Sequence, residues 1–204
     1  LIESNQFDTV YHEHFSYLSL LSVQRVFEKQ GLRVFDVEKL TTHGGSLRLY
    51  GCHQEDSREN TDEIQSILNA EITAKLDSVE TYLSFQPKAE AVKNDLLRFL
   101  LDQKREGKIV AAYGAAAKGN TLLNYAGVQR DLVEFVCDAA PSKQDKYMPG
   151  SHIPILDPSH LQKRAVNFVL ILPWNLADEI AQQLSYLRKG GTKFVIAVPE
   201  LRIF

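Results

Sequence analysis

Residues 11–14 read Tyr-His-Glu-His, two imidazoles with a carboxylate between them and a phenol alongside. Three readings fit. One imidazole with a pKa near the working pH serves as a general base when a neighbour orients it, and Tyr11 or Glu13 is placed to do so. Alternatively, His12 and His14 project from one face of a strand as metal ligands, with His43 as a third. No further carboxylate or cysteine falls at a recurring ligand spacing, which counts against a metal. The remaining reading is a helix N-terminus whose polar residues cap and pack. The residues alone leave all three open.

A second group lies at 110–120, Val-Ala-Ala-Tyr-Gly-Ala-Ala-Ala-Lys-Gly-Asn, directly after an apolar run and at the start of a helical pattern. A dinucleotide fingerprint asks for G-x-G-x-x-G or G-x-G-x-x-A there. The aligned positions are Ala112, Gly114 and Ala117, so the first glycine is lost. Gly114 lets the backbone approach a phosphate, and Ala117 permits close helix–strand packing. The helix start offers free N–H groups, Lys118 adds a cation and Asn120 a donor. Lys118 precedes Gly119, the reverse of the order a Walker A loop needs. A tight strand–helix turn without a ligand is the alternative. Asp138, at the end of the next apolar run, is placed either for a ribose hydroxyl or as a cap of the turn Ala139-Ala140-Pro141-Ser142. Thr41-Thr42-His43-Gly44-Gly45-Ser46 is either a hairpin bend or a set of backbone donors facing a ligand. Trp174 and Asn175 follow Pro173 at a strand's end, where Trp174 stacks on a ligand or packs.

Three zones must position these residues. In the first, residues 1–53, apolar positions between Tyr17 and Gln30 predict a helix ended by Gly31. Two strands follow, 32–37 and 46–50, expected as an antiparallel pair. Unpaired edges on that pair predict self-association. The second zone, 54–106, is a helical connector. Asp56 or Ser57 caps it, one long apolar stripe runs from Ile64 to Leu83, and Pro87 breaks or restarts it. The third, 107–204, alternates apolar strands (109–113, 133–137, 168–172, 194–198) with helices. That rhythm predicts an α/β, Rossmann-like domain with a mostly parallel sheet.

Composition narrows the function classes. The 204 residues carry a formal charge of −3, which argues against a generally basic nucleic-acid binder. No apolar run reaches the ~20 residues that cross a bilayer. Two cysteines, Cys52 and Cys137, in apolar contexts suit a reducing cytoplasm rather than a disulfide framework. The chain starts at Leu1 and its single methionine is Met148, so further sequence upstream is expected.

Four segments together carry a resemblance: Phe7–Tyr17, Thr42–Arg48, Tyr113–Thr121 and Val198-Pro199-Glu200. In order and spacing they resemble the S-adenosylmethionine-dependent sugar C-methyltransferases, which act on nucleotide-linked deoxysugars. The resemblance covers essentially the whole chain. It implies the last half of such an enzyme, with residues 1–53 as the tail of a methyltransferase domain and the S-adenosylmethionine loop upstream. It implies that Tyr11, Glu13 and His14 match a Tyr-x-Glu-His pattern. His14 is then the general base, and Tyr11 and Glu13 position the sugar or stabilise the developing oxyanion. His12 holds the variable position. Gly114, Lys118, Gly119 and Asn120, with His43, are expected to face the nucleotide diphosphate, and no metal is expected. Isolated residues 1–204 are expected to be inactive. Two other classes compete: an NAD(P)-binding module or oxidoreductase built on 107–204, and a non-catalytic binding module. Ala112 in place of glycine argues against the first.

Overall fold

The structure, a computed structural model, describes residues 1–204 apart from the side chain of His43. The chain divides into two compact units. One holds Leu1 and residues 14–86, the other residues 2–13 and 87–204.

In the first unit, α1 (Leu20–Glu28) starts at the cap Ser19, whose side chain accepts from Ser22 N, and ends before Gly31, at φ +67°. The strands β1 (Leu32–Leu40) and β2 (Ser46–His53) pair antiparallel, as expected, with an irregularity between Val34 and Asp36. A 3₁₀ turn, Thr42–Gly44, joins them, and Gly45 takes φ +116°. α2 (Asp62–Thr73) buries Ile64 and Ile67 against Leu20, Val23, Val34 and Val37. Its N-cap position is Thr61, not Asp56 or Ser57. Glu71 is also buried, and its carboxylate accepts from Leu20 N at 2.7 Å and Leu21 N at 2.8 Å. An acid from α2 thereby caps the orphan N–H groups of α1.

The long stripe from Ile64 to Leu83 is interrupted. Lys75 turns left-handed (φ +55°), and a short α3 (Val79–Leu83) follows. Beyond Leu68 the stripe is not core, since Ile72, Val79 and Leu83 are exposed. The outer edge of β1 is partly covered, because Phe35 O accepts from Thr61 N.

α4 (Phe85–Arg105) starts in the first unit and runs on in the second. Pro87 sits in its first turn, where the missing N–H has no intrahelical partner to lose. Val92, Leu96, Phe99 and Leu100 are buried, and Phe99 meets Phe168 edge-on at 5.2 Å. The 54–106 zone is thus not one connector. α2 shares the core of the strand pair, while most of α4 belongs to the α/β unit.

That unit contains β3 (Val110–Tyr113), α5 (Ala117–Ala126), β4 (Val136–Cys137), β5 (Lys146–Tyr147), β6 (Pro154–Leu156), α6 (Ser159–Lys163), β7 (Phe168–Ile171), α7 (Ala177–Gln183), β8 (Lys193–Ile196) and β9 (Arg202–Ile203). The sheet runs β5-β6-β4-β3-β7-β8-β9, parallel from β6 to β8 with an antiparallel strand at each edge. β3 and β7 are buried at every position, as strands covered on both faces must be. Chain order reverses at β3. The carboxyl ends of β3 and β7 therefore flank a topological switch point, the place where open α/β sheets take ligands. Among the described residues no helix is long and apolar enough to cross a membrane.

Candidate functional site

The loop after β3 enters α5 through Gly114, at φ +94°. A Cβ there would stand 2.5 Å from Cδ of Pro173, in the loop after β7. Glycine is needed both for the backbone and for the close approach. Gly119, in the first turn of α5, has a different constraint. A Cβ on it would lie 2.6 Å from the Leu172 side chain, so its bareness lets the helix sit on the β7 end. Asn120 is half-buried, and its Oδ1 makes no hydrogen bond among the described residues.

Lys118 does not stand free at the helix start. It is 9% exposed, and its Nζ donates to Asn175 Oδ1 at 3.0 Å. The same Nζ lies 4.5 Å from the ring centroid of Trp174, a cation–π contact. Burial lowers its pKa, while the charge of Asp8 raises it. Asp8 comes from a 3₁₀ turn, Phe7–Thr9, in the amino-terminal segment that joins this unit. Phe7 packs on Tyr125 of α5 at 5.2 Å, and Asn5 Nδ2 donates to Lys88 O of α4 at 3.1 Å. These contacts seat Asp8 with no exposed surface. Its Oδ2 accepts from Trp174 Nε1 at 2.7 Å, and its Oδ1, buried, makes no hydrogen bond of normal geometry. Desolvation pushes its pKa up to about 6. The Trp174 bond, the Lys118 charge and the N–H groups of Asp8 and Thr9 oppose that rise.

Sequence reasoning did not single out Asp8. The available signal was an acid within Phe7-Asp8-Thr9-Val10 with no partner at local spacing. Trp174 packs on the core, takes the Lys118 ammonium over its ring and is held at the switch point by its hydrogen bond.

Asp138 is a turn cap here. Its Oδ1 accepts from Ala140 N, and its Oδ2 from Ala115 N, each at 2.8 Å; Lys143 Nζ adds a contact at 3.1 Å. Three loop donors fall on this carboxylate, two on Oδ2 and one on Oδ1, so its observed work is to hold the turn. That removes support from the NAD(P) reading.

The Tyr-His-Glu-His motif is divided between the units: Tyr11, His12 and Glu13 close the segment that carries Asp8, and His14 begins the other. Tyr11 is half-buried, and the other three are exposed. His12 Nε2 lies 4.0 Å from Glu13 Oε1, and the ring of His14 meets Tyr17 edge-on at 6.2 Å. His43, the remaining candidate, has its side chain outside the described residues. Among the described residues no three His, Cys, Asp or Glu side chains gather as a metal site.

Comparison with known proteins gives a consistent picture. The family described as the C-methyltransferase C-terminal domain matches residues 41–199. C-methyltransferase NovU of Streptomyces niveus is 35% identical over 203 residues, 100% of this chain and 48% of NovU. The chain thus spans about half the length of that curated relative. A crystal structure of UDP-D-quinovosamine 4-dehydrogenase from Vibrio fischeri aligns with 44% of this chain and 76% of its own, at 21% identity and a TM-score of 0.35. That likeness is too slight to bear on function.

Proposed function

The chain belongs to the C-methyltransferase C-terminal domain family, and on that premise we propose that it is the sugar-nucleotide-binding part of a cytoplasmic C-methyltransferase. The substrate is a nucleotide-linked keto-deoxysugar, and the methyl group is placed on carbon. One observation carries the reading. The Asp8–Trp174 hydrogen bond ties the segment that ends in Tyr11-His12-Glu13 to the switch-point crevice, where Lys118 and the α5 start attract a diphosphate.

The chemistry assigned to the chain's own residues is proton transfer. His14 removes the weakly acidic proton from the carbon beside the ketone. Tyr11 and Glu13 position the sugar or stabilise the oxyanion that develops at the ketone oxygen. Lys118 and Asn120 hold the diphosphate, and Gly114 lets the turn approach it. S-adenosylmethionine supplies the methyl group when bound. No step is assigned through it.

Calorimetry against a thymidine diphosphate sugar, NADH and S-adenosylmethionine tests the reading. The sugar nucleotide is expected to bind the 204-residue chain and the other two not. Binding of NADH alone would transfer the assignment to a nicotinamide module.

A further inference from the structure

Lys118 and Asp8 meet on Trp174: the Asp8 carboxylate accepts from the indole N–H at 2.7 Å, and the Lys118 ammonium lies 4.5 Å from the ring centroid. Asp8 is fully buried, with one oxygen on Trp174 and the other without a hydrogen bond of normal geometry. Lys118 on α5 is the charged group that acts on it. The other groups around the Phe7–Thr9 turn do not carry charge toward it. Trp174 presents a neutral indole and Tyr125 packs on Phe7, while Lys93 of α4 lies over the Tyr125 ring at 5.5 Å. The ionised carboxylate is therefore favoured by the indole N–H, by one cation and by the backbone N–H groups of Asp8 and Thr9, of which only the cation is open to competition from a ligand.

A diphosphate at the α5 start changes both supports. It competes for the Lys118 ammonium, and it brings negative charge near a desolvated carboxylate. Each effect favours the protonated acid. Resting on the diphosphate reading of the crevice, we propose that Asp8 is its proton-linked counter-charge: as the anionic ligand binds Lys118, the Asp8 carboxylate takes up one proton from solvent. The balance is simple. One anion arrives, and one proton neutralises the anion already buried there. Asp8 thus makes the crevice sense pH, and ligand affinity rises as pH falls. Burial has already brought Asp8 up to about 6, so the further rise needed to hold a proton at neutral pH is small.

Trp174 is the chain's single tryptophan, so its emission reports on Asp8 directly. In purified, ligand-free protein, emission is expected to change with a midpoint near pH 6. Asp8→Asn keeps an acceptor for the indole N–H and should abolish the change; Asp8→Glu keeps the acid and should retain a transition. An emission profile that is flat in the parent, or identical in parent and Asp8→Asn, overturns the proposal. The second arm is calorimetry with thymidine diphosphate at pH 7 in buffers of differing ionisation enthalpy. Net uptake of a fraction of a proton per ligand, roughly 0.4 for a rise of one pKa unit, is expected in the parent and none in Asp8→Asn. Affinity in the parent should rise several-fold between pH 8 and 6 and stay level in the variant. Binding without proton uptake overturns the linkage and leaves the crevice a diphosphate site. Failure of the parent to bind at any pH removes the diphosphate reading itself, and the linkage with it.

Discussion

Gly119 and Leu172 touch so closely that a single added methyl would stand 2.6 Å from the leucine side chain. The contact joins α5 to the end of β7 beneath the switch point. Overpacking of such a contact destabilises by about 1–3 kcal/mol. Gly119→Ala is expected to lower stability by that amount in denaturant unfolding. An unchanged midpoint would show that the helix can shift outward freely.

Asp8 also predicts how stability depends on pH. Its pKa is about 6 in the folded protein, against an ordinary value of 3.8. The folded state therefore binds the proton more tightly, and the contribution is full below pH 3.8 and lost as pH rises through 6. Between pH 7.5 and 5 this group alone should stabilise the fold by about 1.4 kcal/mol. Asp8→Asn should remove that gain, as read by unfolding at both pH values. An equal gain in parent and variant would assign it to other groups.

The proposed diphosphate contact is probed at Lys118. A charge-assisted hydrogen bond contributes roughly 1.5–3 kcal/mol, so Lys118→Ala should weaken nucleotide-sugar affinity about ten-fold or more. Circular dichroism checks that the domain stays folded. Undiminished affinity would place the ligand elsewhere.

The proposed role of His14 as general base is probed in the full-length enzyme. His14→Ala should cut methylation ~10²-fold or more with near-normal substrate affinity. It should also abolish solvent deuterium exchange at the carbon beside the ketone, without methyl donor present. His12→Ala is the control and should keep most of that exchange. The opposite pattern would reassign the base to His12.

Glu71 carries the fifth expectation. Its carboxylate caps α1 through Leu20 N and Leu21 N from a buried position. Glu71→Ala leaves those donors bare, and a loss of about 1.5–3 kcal/mol is expected in chemical unfolding. A loss within 0.5 kcal/mol, roughly what a surface change produces, would mean that water replaces the cap.

What could be read in the sequence follows the range of the interactions. β3, β7 and β8 announce themselves as apolar runs, and Gly31 ends α1 by a local rule. β5 and β9, of two residues each, carry no periodic signal. The stripe through Ile72, Val79 and Leu83 kept its helical spacing, yet Lys75 reverses the chain and leaves those side chains exposed. At the site, Gly114 and Lys118 were legible from the turn pattern. The direction of Lys118 was not, because Asp8 and Asn175 lie 110 residues before it and 57 after. Glu71 likewise acts across about 50 positions of chain. The division of 54–106 between two cores has the same origin. Helical pattern shows which face is apolar and not which core receives it.

Cys52 and Cys137 are both buried, and desolvation pushes the Cys137 thiol up to about 12. The thiolate, not the thiol, reacts with alkylating dyes and oxidants. Met148, 2% exposed, is shielded as well. The native chain is therefore a quiet chemical background. A cysteine introduced at an exposed position, such as Ser57 in one unit or Gln129 in the other, would be the thiol that a fluorophore or spin label meets. Such a label reports on the unit that carries it, with no native residue to remove first.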